Sequence, residues 1–494
     1  MIRFLFSNYV GRLWSILSGF IFVPLYIKYL GFESYSIIAF MLIVSSILMI
    51  LDSGFASTLS REFARKDVSE NEKKDVYQSL EAIYLLIFAL VIVLVLLLSD
   101  FIAINFIKTT VYTPKEVSIF IKILSLEIGC QMLFKFYLGG IIGLERHIES
   151  NIIQISWGLI RNVVVIIPII LRPDLNLFFT WQTVSTLIFT LMIKMKLNHD
   201  VYSNYKLKFS LKFDKVSIQR IKAFTFGMLM ISLVAVLNTQ LDKLLISKFL
   251  DVTSLGYYTL GVTLSMGIIA VIQPISVTLL PRFTKLFSNR EKNKAKELFE
   301  MTNGVATIII LTFISFLYIF AENILILWTG NEDIAMKSYK YLMILSVGNG
   351  MVALQLIPYC IAISNGNTYL NNMLGIVSLF FSIPSYYLAI TRFGAIGAAI
   401  AYSTIQFTLT IIYLFKINRI YFKEKFIVLF GKKILLPFFS IFLVLYIFST
   451  LEISNNRFLT FIYYSFSIII CISLNIFLFH NQLFRILILK IQRR

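Results

Sequence analysis

Fourteen hydrophobic segments, each about 20 residues long, occupy most of this 494-residue chain. A segment of that length crosses the hydrocarbon core of a bilayer as a helix. The membrane interior has no water to satisfy free backbone groups, so a helix is the expected form of each segment. The sequence therefore predicts an all-α integral membrane protein with 14 transmembrane helices. The expected spans are 6–28, 35–54, 78–98, 117–141, 151–171, 176–195, 223–246, 257–280, 301–328, 338–362, 369–390, 394–415, 431–450 and 458–479.

Lysine and arginine residues alternate between the two sets of connecting loops. The tails and the loops after the even-numbered spans hold 31 of the 45 Lys and Arg residues, whereas the opposite loops hold nine. Such an excess is typical of loops on the cytoplasmic side. A missed or invented span would destroy the alternation, so it also supports the number of spans. Both ends of the chain are therefore expected in the cytoplasm.

Composition and loop lengths exclude several other classes of protein. The longest outer loop, 99–116, is too short for an extracellular domain. The net charge of +19 is spread over short loops beside the spans, which indicates orientation and contact with anionic lipid rather than a nucleic-acid partner. The three cysteines, Cys130, Cys360 and Cys471, all lie in spans, and the three histidines are scattered. No disulfide framework, metal site or cofactor is therefore expected.

The two halves of the chain resemble each other at a common offset of 220 residues. The segment 27–31 at the end of span 1 matches 247–251 at the end of span 7, and Thr58-Leu59 matches Thr278-Leu279. An even number of spans in each copy gives both copies the same orientation, as in transporters built from parallel repeats. We therefore expect two pseudo-symmetric six-helix bundles followed by two extra helices. The expected divisions are a first bundle at 1–195, a cytoplasmic linker at 196–222, a second bundle at 223–415, and a segment at 416–494 with two more spans and a basic tail.

Four stretches of sequence resemble a known family. They are YLGFESY (29–35), LDSGFASTLSREFAR (51–65), TQLDKLLISKFLDVTSLGYYTLG (239–261) and LLPRFTKLF (279–287). These stretches, and the six-plus-six-plus-two layout, resemble the polysaccharide-transport (Wzx-type) branch of the multidrug/oligosaccharidyl-lipid/polysaccharide (MOP) exporter superfamily. The resemblance covers nearly the whole chain. Ser36 and Ser53 depart from it, since glycine is common at these positions in the family.

The resemblance implies a MATE-like architecture and a transporter rather than an enzyme. The implied function is the flipping of undecaprenyl-pyrophosphate-linked oligosaccharide across the bacterial plasma (inner) membrane by alternating access, for O-antigen, capsule or a related polysaccharide. The implied partners are this lipid-linked oligosaccharide and membrane lipids, with a polysaccharide polymerase and chain-length proteins as further candidates. A lipid II flippase and a MATE-type small-molecule exporter remain alternatives, although the exporters typically have 12 spans. A membrane glycosyltransferase or polymerase would ordinarily show paired carboxylates or a large outer loop, and neither is seen.

Charged residues inside the spans are the candidate site. An ionised side chain at mid-bilayer costs roughly 2.5–3.5 kcal/mol, so such residues usually face the bundle interior or a wet cavity. Helical spacing places Asn8 and Arg12 on one stripe of span 1, and Glu127, Gln131 and Lys135 on one stripe of span 4. The expected substrate-binding residues are Asn8, Arg12, Lys135, Arg161 and Lys243. The positive charges among them would form a series from the inner to the outer side of the membrane that could bind a pyrophosphate headgroup.

Each of these assignments has a plainer alternative. Arg12 and Lys122 could snorkel to the membrane surface, and Lys243 could be an interface residue. Glu127 and Asp242 are the candidate proton or sodium sites, because a carboxyl group in an apolar setting can titrate. An Asn238–Asp242 pair could equally form a structural hydrogen bond. Asp52 and Arg61 are expected to serve the loop after span 2.

Overall fold

The fold is helical and suited to a membrane. The computed structural model describes residues 19–202, 213–367, 369–422, 431–451 and 457–479, and all regular secondary structure within these ranges is helical. Eleven of the described helices are long and apolar enough to cross a membrane. Two shorter apolar helices, Gly19–Leu30 and Phe32–Leu48, precede them. The all-α membrane fold is thus confirmed, and the total of 14 spans stays a prediction.

The chain forms two compact units, Met1–Gly256 and Tyr257–Arg494. The described helices of the first unit are α1 (Gly19–Leu30), α2 (Phe32–Leu48), α3 (Ile50–Ala64), α4 (Glu70–Phe106), α5 (Pro114–Gly143), α6 (His147–Leu159), α7 (Ile166–Leu171), α8 (Leu175–Tyr202) and α9 (Lys215–Phe249), followed by the first turns of α10 (Val252–Ser288). A π-helical turn, Ile160–Val164, separates α6 from α7. The predicted linker 196–222 includes residues outside the described ranges, and the domain division proposed there stays a prediction.

Helix α5 is the centre of the first unit. In its most apolar stretch 78% of the residues are buried inside the protein, and it packs against α3, α4 and α8. Thr113 starts it with a capping box: its hydroxyl accepts from the backbone N–H of Glu116, and the Glu116 carboxylate accepts from Thr113 in return. Polar residues on the buried faces of α5 must therefore find partners within the unit.

Small residues allow α3 and α5 to pack at close range. A Cβ atom at Gly139 would lie 2.6 Å from the carbonyl oxygen of Ala56, and one at Gly143 would lie 2.5 Å from that of Ser60. Apolar side chains gain little by leaving lipid for protein, so helix association in a bilayer depends on such close backbone approach. The α3–α5 contact is consequently intolerant of larger residues.

Helix α9 packs against α2, α3 and α4. The hydroxyl groups of Thr58 and Thr225 lie 2.8 Å apart, and the guanidinium of Arg220 lies 3.3 Å from the buried carboxylate of Glu62. The contact between α3 and α9 therefore combines a buried hydrogen bond with an ion pair near the first turns of α9.

The predicted repeat reappears in the local geometry of two helix corners. Lys28 lies over the ring of Tyr29 at 5.4 Å, and Lys248 lies over the ring of Phe249 at 5.8 Å, which is the same interaction 220 residues later. The first corner joins α1 to α2 and the second joins α9 to α10. The two corners thus share side-chain contacts as well as sequence.

The second unit contains the rest of α10, and six further α-helices lie among its described residues. They are α11 (Lys292–Ile319), α12 (Ala321–Thr329), α13 (Glu332–Ser364), α14 (Tyr369–Ile417), α15 (Leu436–Ser449) and α16 (Arg457–Phe479). Gly394 kinks α14 with φ 63° and ψ −152°, a conformation that glycine tolerates, and this kink separates the two expected spans 369–390 and 394–415. The two extra helices, α15 and α16, both pack on α11.

One local expectation was wrong. Span 2 was expected at 35–54, with Asp52 and Arg61 serving the loop that follows. The helical segment instead bends at Met49 and continues as α3 to Ala64, so both residues are helical, and Asp52 is buried. The polar sequence of α3 concealed this continuation, since hydropathy detects only the apolar part of a helix.

Replacing Gly139 with alanine is expected to lower the stability of the first unit. The new methyl group would clash with the α3 backbone and force the two helices apart, at a cost of about 1–3 kcal/mol. Gly227→Ala on α9 is the matched control, because a Cβ there meets nothing within 4 Å. Thermal unfolding of the purified proteins in detergent measures the difference. Equal midpoints for the two variants would contradict the close approach.

Candidate functional site

The stripe of polar residues predicted on span 4 lies on α5 and has a buried part and an exposed part. Glu127 and Gln131 are buried, and the side-chain amide of Gln131 donates a hydrogen bond to the Glu127 carboxylate. Lys135, one turn further on, is exposed although the residues on both sides of it are buried. One stripe of α5 therefore leads from an enclosed carboxylate to an exposed lysine residue.

Arg161 lies in the π-helical turn Ile160–Val164, and Pro168 explains the turn. Proline has no N–H to donate to the carbonyl of Val164, and its ring crowds that carbonyl, so the helix widens just before it. Single π-helical turns of this kind often occur at functional sites. The sequence thus places a wide turn, with an arginine in it, within a predicted span.

Side chains from neighbouring helices satisfy three successive carbonyls of this turn. The indole N–H of Trp181 donates to Ile160 at 3.0 Å, and the amide of Gln182 donates to Arg161 at 3.0 Å. The hydroxyl of Tyr26 on α1 donates to Asn162 at 3.3 Å. A buried carbonyl without a partner is costly, so these donors hold the wide turn in place.

The guanidinium of Arg161 is the centre of a polar cluster. Its Nη2 lies 2.6 Å from the Glu127 carboxylate, and its Nε donates to the side-chain oxygen of Gln182. The guanidinium also lies over the Trp157 ring, 5.0 Å from the ring centre. Arg161 keeps 16% of its side chain exposed, whereas Glu127 keeps 2%. We call Glu127, Gln131, Trp157, Arg161 and Gln182 the arginine cluster.

Lys135 lies within electrostatic range of the arginine cluster and of a second carboxylate, Asp52. Its ammonium group interacts electrostatically with Asp52, Arg161 and Glu127. Asp52 is buried and accepts a 2.7 Å hydrogen bond from the hydroxyl of Tyr84. The structure therefore places Lys135, Arg161 and Glu127 within electrostatic range of one another, which the sequence did not predict, and it adds Asp52, which the sequence assigned to a loop.

A second buried ion pair joins α4 to α8. The Lys194 ammonium group pairs with the Glu81 carboxylate, which also accepts a 2.8 Å hydrogen bond from the Tyr137 hydroxyl. Lys194 and Glu81 are 0% and 1% exposed, and the ammonium lies 4.9 Å from the centre of the Tyr137 ring. The sequence analysis did not predict this pair, because Lys194 lies at the end of its predicted span and was assigned to the charged residues of the following loop. The available signal was that two opposite charges fell inside the predicted spans 78–98 and 176–195.

The remaining predicted residues lie elsewhere. Lys243 pairs with its neighbour Asp242 at 3.2 Å on α9 and also donates to the carbonyl of Thr239. Asp242 is buried, and Lys243 is 12% exposed. Asn8 and Arg12 fall outside the described residues.

Buried charge is concentrated in the first unit. Among the described residues, the buried ones with charged side chains all precede Gly256: Asp52, Glu62, Glu81, Glu127, Lys194 and Asp242. In the second unit, buried polar contacts between helices use neutral groups, such as the amide of Asn349, which donates to Ser265 and accepts from Tyr402, each at 2.7 Å. The described residues contain no group of His, Cys, Asp and Glu side chains able to hold a metal ion.

Comparison of sequences decides the family. The sequence model of the polysaccharide biosynthesis protein family matches residues 28–336, which is more than half of the chain. The chain belongs to this family. The match includes the arginine cluster, Lys135 and the α9 pair, and it confirms the resemblance drawn from the four sequence stretches. None of the curated protein sequences matches this chain.

Comparison of structures shows the fold. The chain is similar to the lipid II flippase MurJ in an inward closed conformation, with a TM-score of 0.77, 14% identity, and coverage of 98% of this chain and 100% of that chain. It is also similar to an inward-facing MATE family transporter of the MOP superfamily, with a TM-score of 0.65, 13% identity, and coverage of 83% and 94%. A Vibrio cholerae MATE transporter gives a TM-score of 0.60, 14% identity, and coverage of 86% and 98%. The MATE-like architecture is thus confirmed. At these identities the similarity shows the fold alone.

Removing Lys194 alone should destabilise the protein more than removing the whole ion pair. Lys194→Met leaves the Glu81 carboxylate buried without its cation, which costs about 3–5 kcal/mol. The double variant Lys194→Met/Glu81→Leu removes both charges and should recover most of that loss. Lys337→Met, in an exposed pair with Asp333, is the control and should change stability by about 0–1 kcal/mol. Thermal unfolding midpoints of the purified variants in detergent measure these differences in stability. A double variant no more stable than Lys194→Met would contradict the buried pair.

Proposed function

We propose that this protein moves undecaprenyl-pyrophosphate-linked oligosaccharide across the bacterial plasma membrane, for O-antigen, capsule or related polysaccharide synthesis. The observation that carries the proposal is the match to the polysaccharide biosynthesis family over residues 28–336 in a chain with a transporter fold. Such a protein acts on a saccharide by moving it, because its class is a transporter. The proposed orientation has both chain ends in the cytoplasm, as the charge alternation predicts.

Lys135 supports a cavity that receives an anion. It lies well inside α5, the most enclosed helix of the first unit, yet its side chain is exposed. An ammonium group in contact with lipid at that depth would cost several kcal/mol, so a wet cavity is the favourable surrounding. A pyrophosphate headgroup entering such a cavity would find a compact point charge in Lys135.

The arginine cluster supplies a second cation beside Lys135. The guanidinium of Arg161 is divided between Glu127 and Gln182, so phosphate binding there would compete with the Glu127 carboxylate. This competition offers a link between ligand binding and the charge of Glu127, which we retain as a candidate proton or sodium site together with Asp242. The rest of the proposed substrate-binding set is Asn8, Arg12 and Lys243.

The proposed mechanism is alternating access. The headgroup passes through the cavity while the polyprenyl tail stays in lipid. A membrane potential that is negative inside favours outward movement of an anion by roughly 2.3 kcal/mol per charge per 100 mV. A polysaccharide polymerase and chain-length proteins are proposed partners that would use the exported unit.

A lipid II flippase is the second candidate, and one observation favours it. The similarity to MurJ extends over 98% of this chain and 100% of that protein, further than the similarity to the MATE transporters described above. A MATE-type exporter of small molecules is the third candidate, on the shared fold alone. The identity of the lipid-linked intermediate that accumulates without the protein separates the three.

The decisive experiment is deletion of the gene followed by mass spectrometry of lipid-linked intermediates. We expect undecaprenyl-linked oligosaccharide to accumulate on the cytoplasmic side, and a plasmid copy of the gene to clear it. Accumulation of lipid II instead would assign the protein to the second candidate. No change in either lipid would overturn both.

Lys135→Gln should strongly reduce glycan export at normal protein level, by about tenfold or more, because it removes the exposed cation within the cavity. The matched control is Lys122→Gln on the same helix. Lys122 lies 3.7 Å from Asp100 at the other end of α5, with 44% of its side chain exposed, and should tolerate the change. Surface polysaccharide in the complemented deletion strain gives the readout. Equal export by the two variants would exclude Lys135 from the site.

Cysteine labelling should reveal the proposed orientation. The three native cysteines are buried, so background labelling should be low. Val111→Cys, 66% exposed, lies in a predicted outer loop and should react with a membrane-impermeant maleimide in intact spheroplasts. Asn289→Cys, exposed in a predicted inner loop, should react only after permeabilisation. The reverse pattern would contradict an inside location of both chain ends.

A further inference from the structure

The Glu33 carboxylate, at the start of α2, is the main anchor of the segment Ile107–Thr113 between α4 and α5. It accepts hydrogen bonds from the backbone N–H groups of Thr110 and Val111, at 2.6 and 3.0 Å. It also accepts from the hydroxyl of Thr110 at 2.8 Å and from the hydroxyl of Thr109. Ser34 adds a 2.7 Å contact with the hydroxyl of Tyr112. One corner of the first unit thus holds most of this segment.

The opposite end of the same segment is tied to the second corner. The carbonyl of Lys108 accepts a 3.0 Å hydrogen bond from the backbone N–H of Val252, the first residue of α10. The Lys108 ammonium group donates to the carbonyl of Phe249, the last residue of α9, at 3.4 Å. The segment Ile107–Thr113 therefore bridges the α1–α2 corner and the α9–α10 corner.

The two bridged corners are equivalent in the repeat. Tyr35 donates its backbone N–H to the carbonyl of Gly31, and Leu255 donates to that of Asp251, each pair 220 residues from the other. The corners also touch at equivalent positions: a Cβ atom added at Gly256 would overlap the side chain of Ser36, again 220 residues away. A contact between equivalent residues is the mark of a self-complementary, two-fold interface.

We propose that the segment Ile107–Thr113 is a clasp that closes this face of the first unit, and that Glu33 is the positioning residue that holds the clasp shut. One corner comes from each repeat, so the two corners must separate if this face opens during alternating access. The clasp rests on the proposed function only in its claim that transport requires opening. Its claim that Glu33 keeps the corners together is independent of any substrate.

The hydrogen bonds of the clasp suit a contact that can open and close rather than a permanent one. The side-chain bonds of Glu33 all depend on one half-buried carboxylate. The bonds described above to the α9–α10 corner are a backbone bond and a lysine bond. Hydrogen bonds to a charged group contribute less to stability when water can compete for that group. A small set of such bonds can close a face without locking it.

The first test measures closure directly. Ser36 is fully buried where the two corners meet, against Gly256, so Ser36→Cys should react slowly with maleimide in detergent. Adding Glu33→Gln should accelerate labelling of that cysteine about tenfold, because the neutral amide is a weaker acceptor. Asp100→Asn is the matched control: it also removes one carboxylate, but one that bonds Ser118 and Lys122 rather than the clasp. The buried native Cys130 in α5 reports general loosening of the same unit.

The outcomes separate the possibilities. Faster labelling of Ser36→Cys with unchanged labelling of Cys130 supports the clasp. Equal labelling of Ser36→Cys with and without the Glu33→Gln substitution overturns the role of Glu33. Parallel acceleration at Cys130 would mean that Glu33 acts on general stability, and would also overturn it.

The second test asks whether transport needs the clasp to open. Lys108→Cys/Val252→Cys places two thiols at residues joined by a 3.0 Å backbone hydrogen bond, so a disulfide or a short cross-linker can be tested between them. Oxidation, or a short bis-maleimide, should stop glycan export, and reduction of the disulfide should restore it. Continued export by the cross-linked protein overturns required opening, and failure of both reagents to cross-link contradicts the bridge. If the reduced protein and the native sequence both export no glycan, the proposed function fails, while the labelling result stands on its own.

Discussion

A charge inside a bilayer must be paired or wet, and the polar structure of this protein follows from that requirement. Helix α5 shows the consequence most clearly. Along one stripe, Glu127 is enclosed and paired with Arg161, whereas Lys135 is exposed near Asp52. The enclosed members hold helices together. The exposed member has no favourable surroundings in lipid, which is why we propose a wet cavity around it.

The arginine cluster depends on an irregular backbone. Pro168 widens the helix, the wide turn carries Arg161, and donors on α1 and α8 satisfy its carbonyls. The same side chain, Gln182, both donates to this backbone and accepts from the Arg161 guanidinium. Because one residue serves the turn and the ion pair, displacement of Arg161 by a ligand would also disturb the turn. Among the described residues of the second unit, buried contacts such as Asn349–Ser265 and Gln355–Thr410 are hydrogen bonds between neutral groups.

The function proposed from the polysaccharide biosynthesis family and this fold would give these features a common purpose. A flippase for a pyrophosphate headgroup needs cations that are accessible in the membrane and a closure that can be released. Lys135 and the arginine cluster fit the first need. The bonds that Glu33 and Lys108 make at the two repeat-related corners fit the second.

The sequence by itself determined the membrane class, the helical fold, the family and most helix positions, because hydropathy and loop charge respond to the bilayer directly. It also predicted Glu127, Lys135 and Arg161 as candidate site residues, since a charge within a span is rare and costly. It could not assign partners. Tertiary structure alone decided that Arg161, and not Lys135, pairs with Glu127, that Lys194 joins Glu81, and that α3 extends beyond its apolar part to Ala64. Partner choice depends on which helix faces meet, and residues that lie 34 or 113 positions apart in the chain meet only through the packing of whole helices.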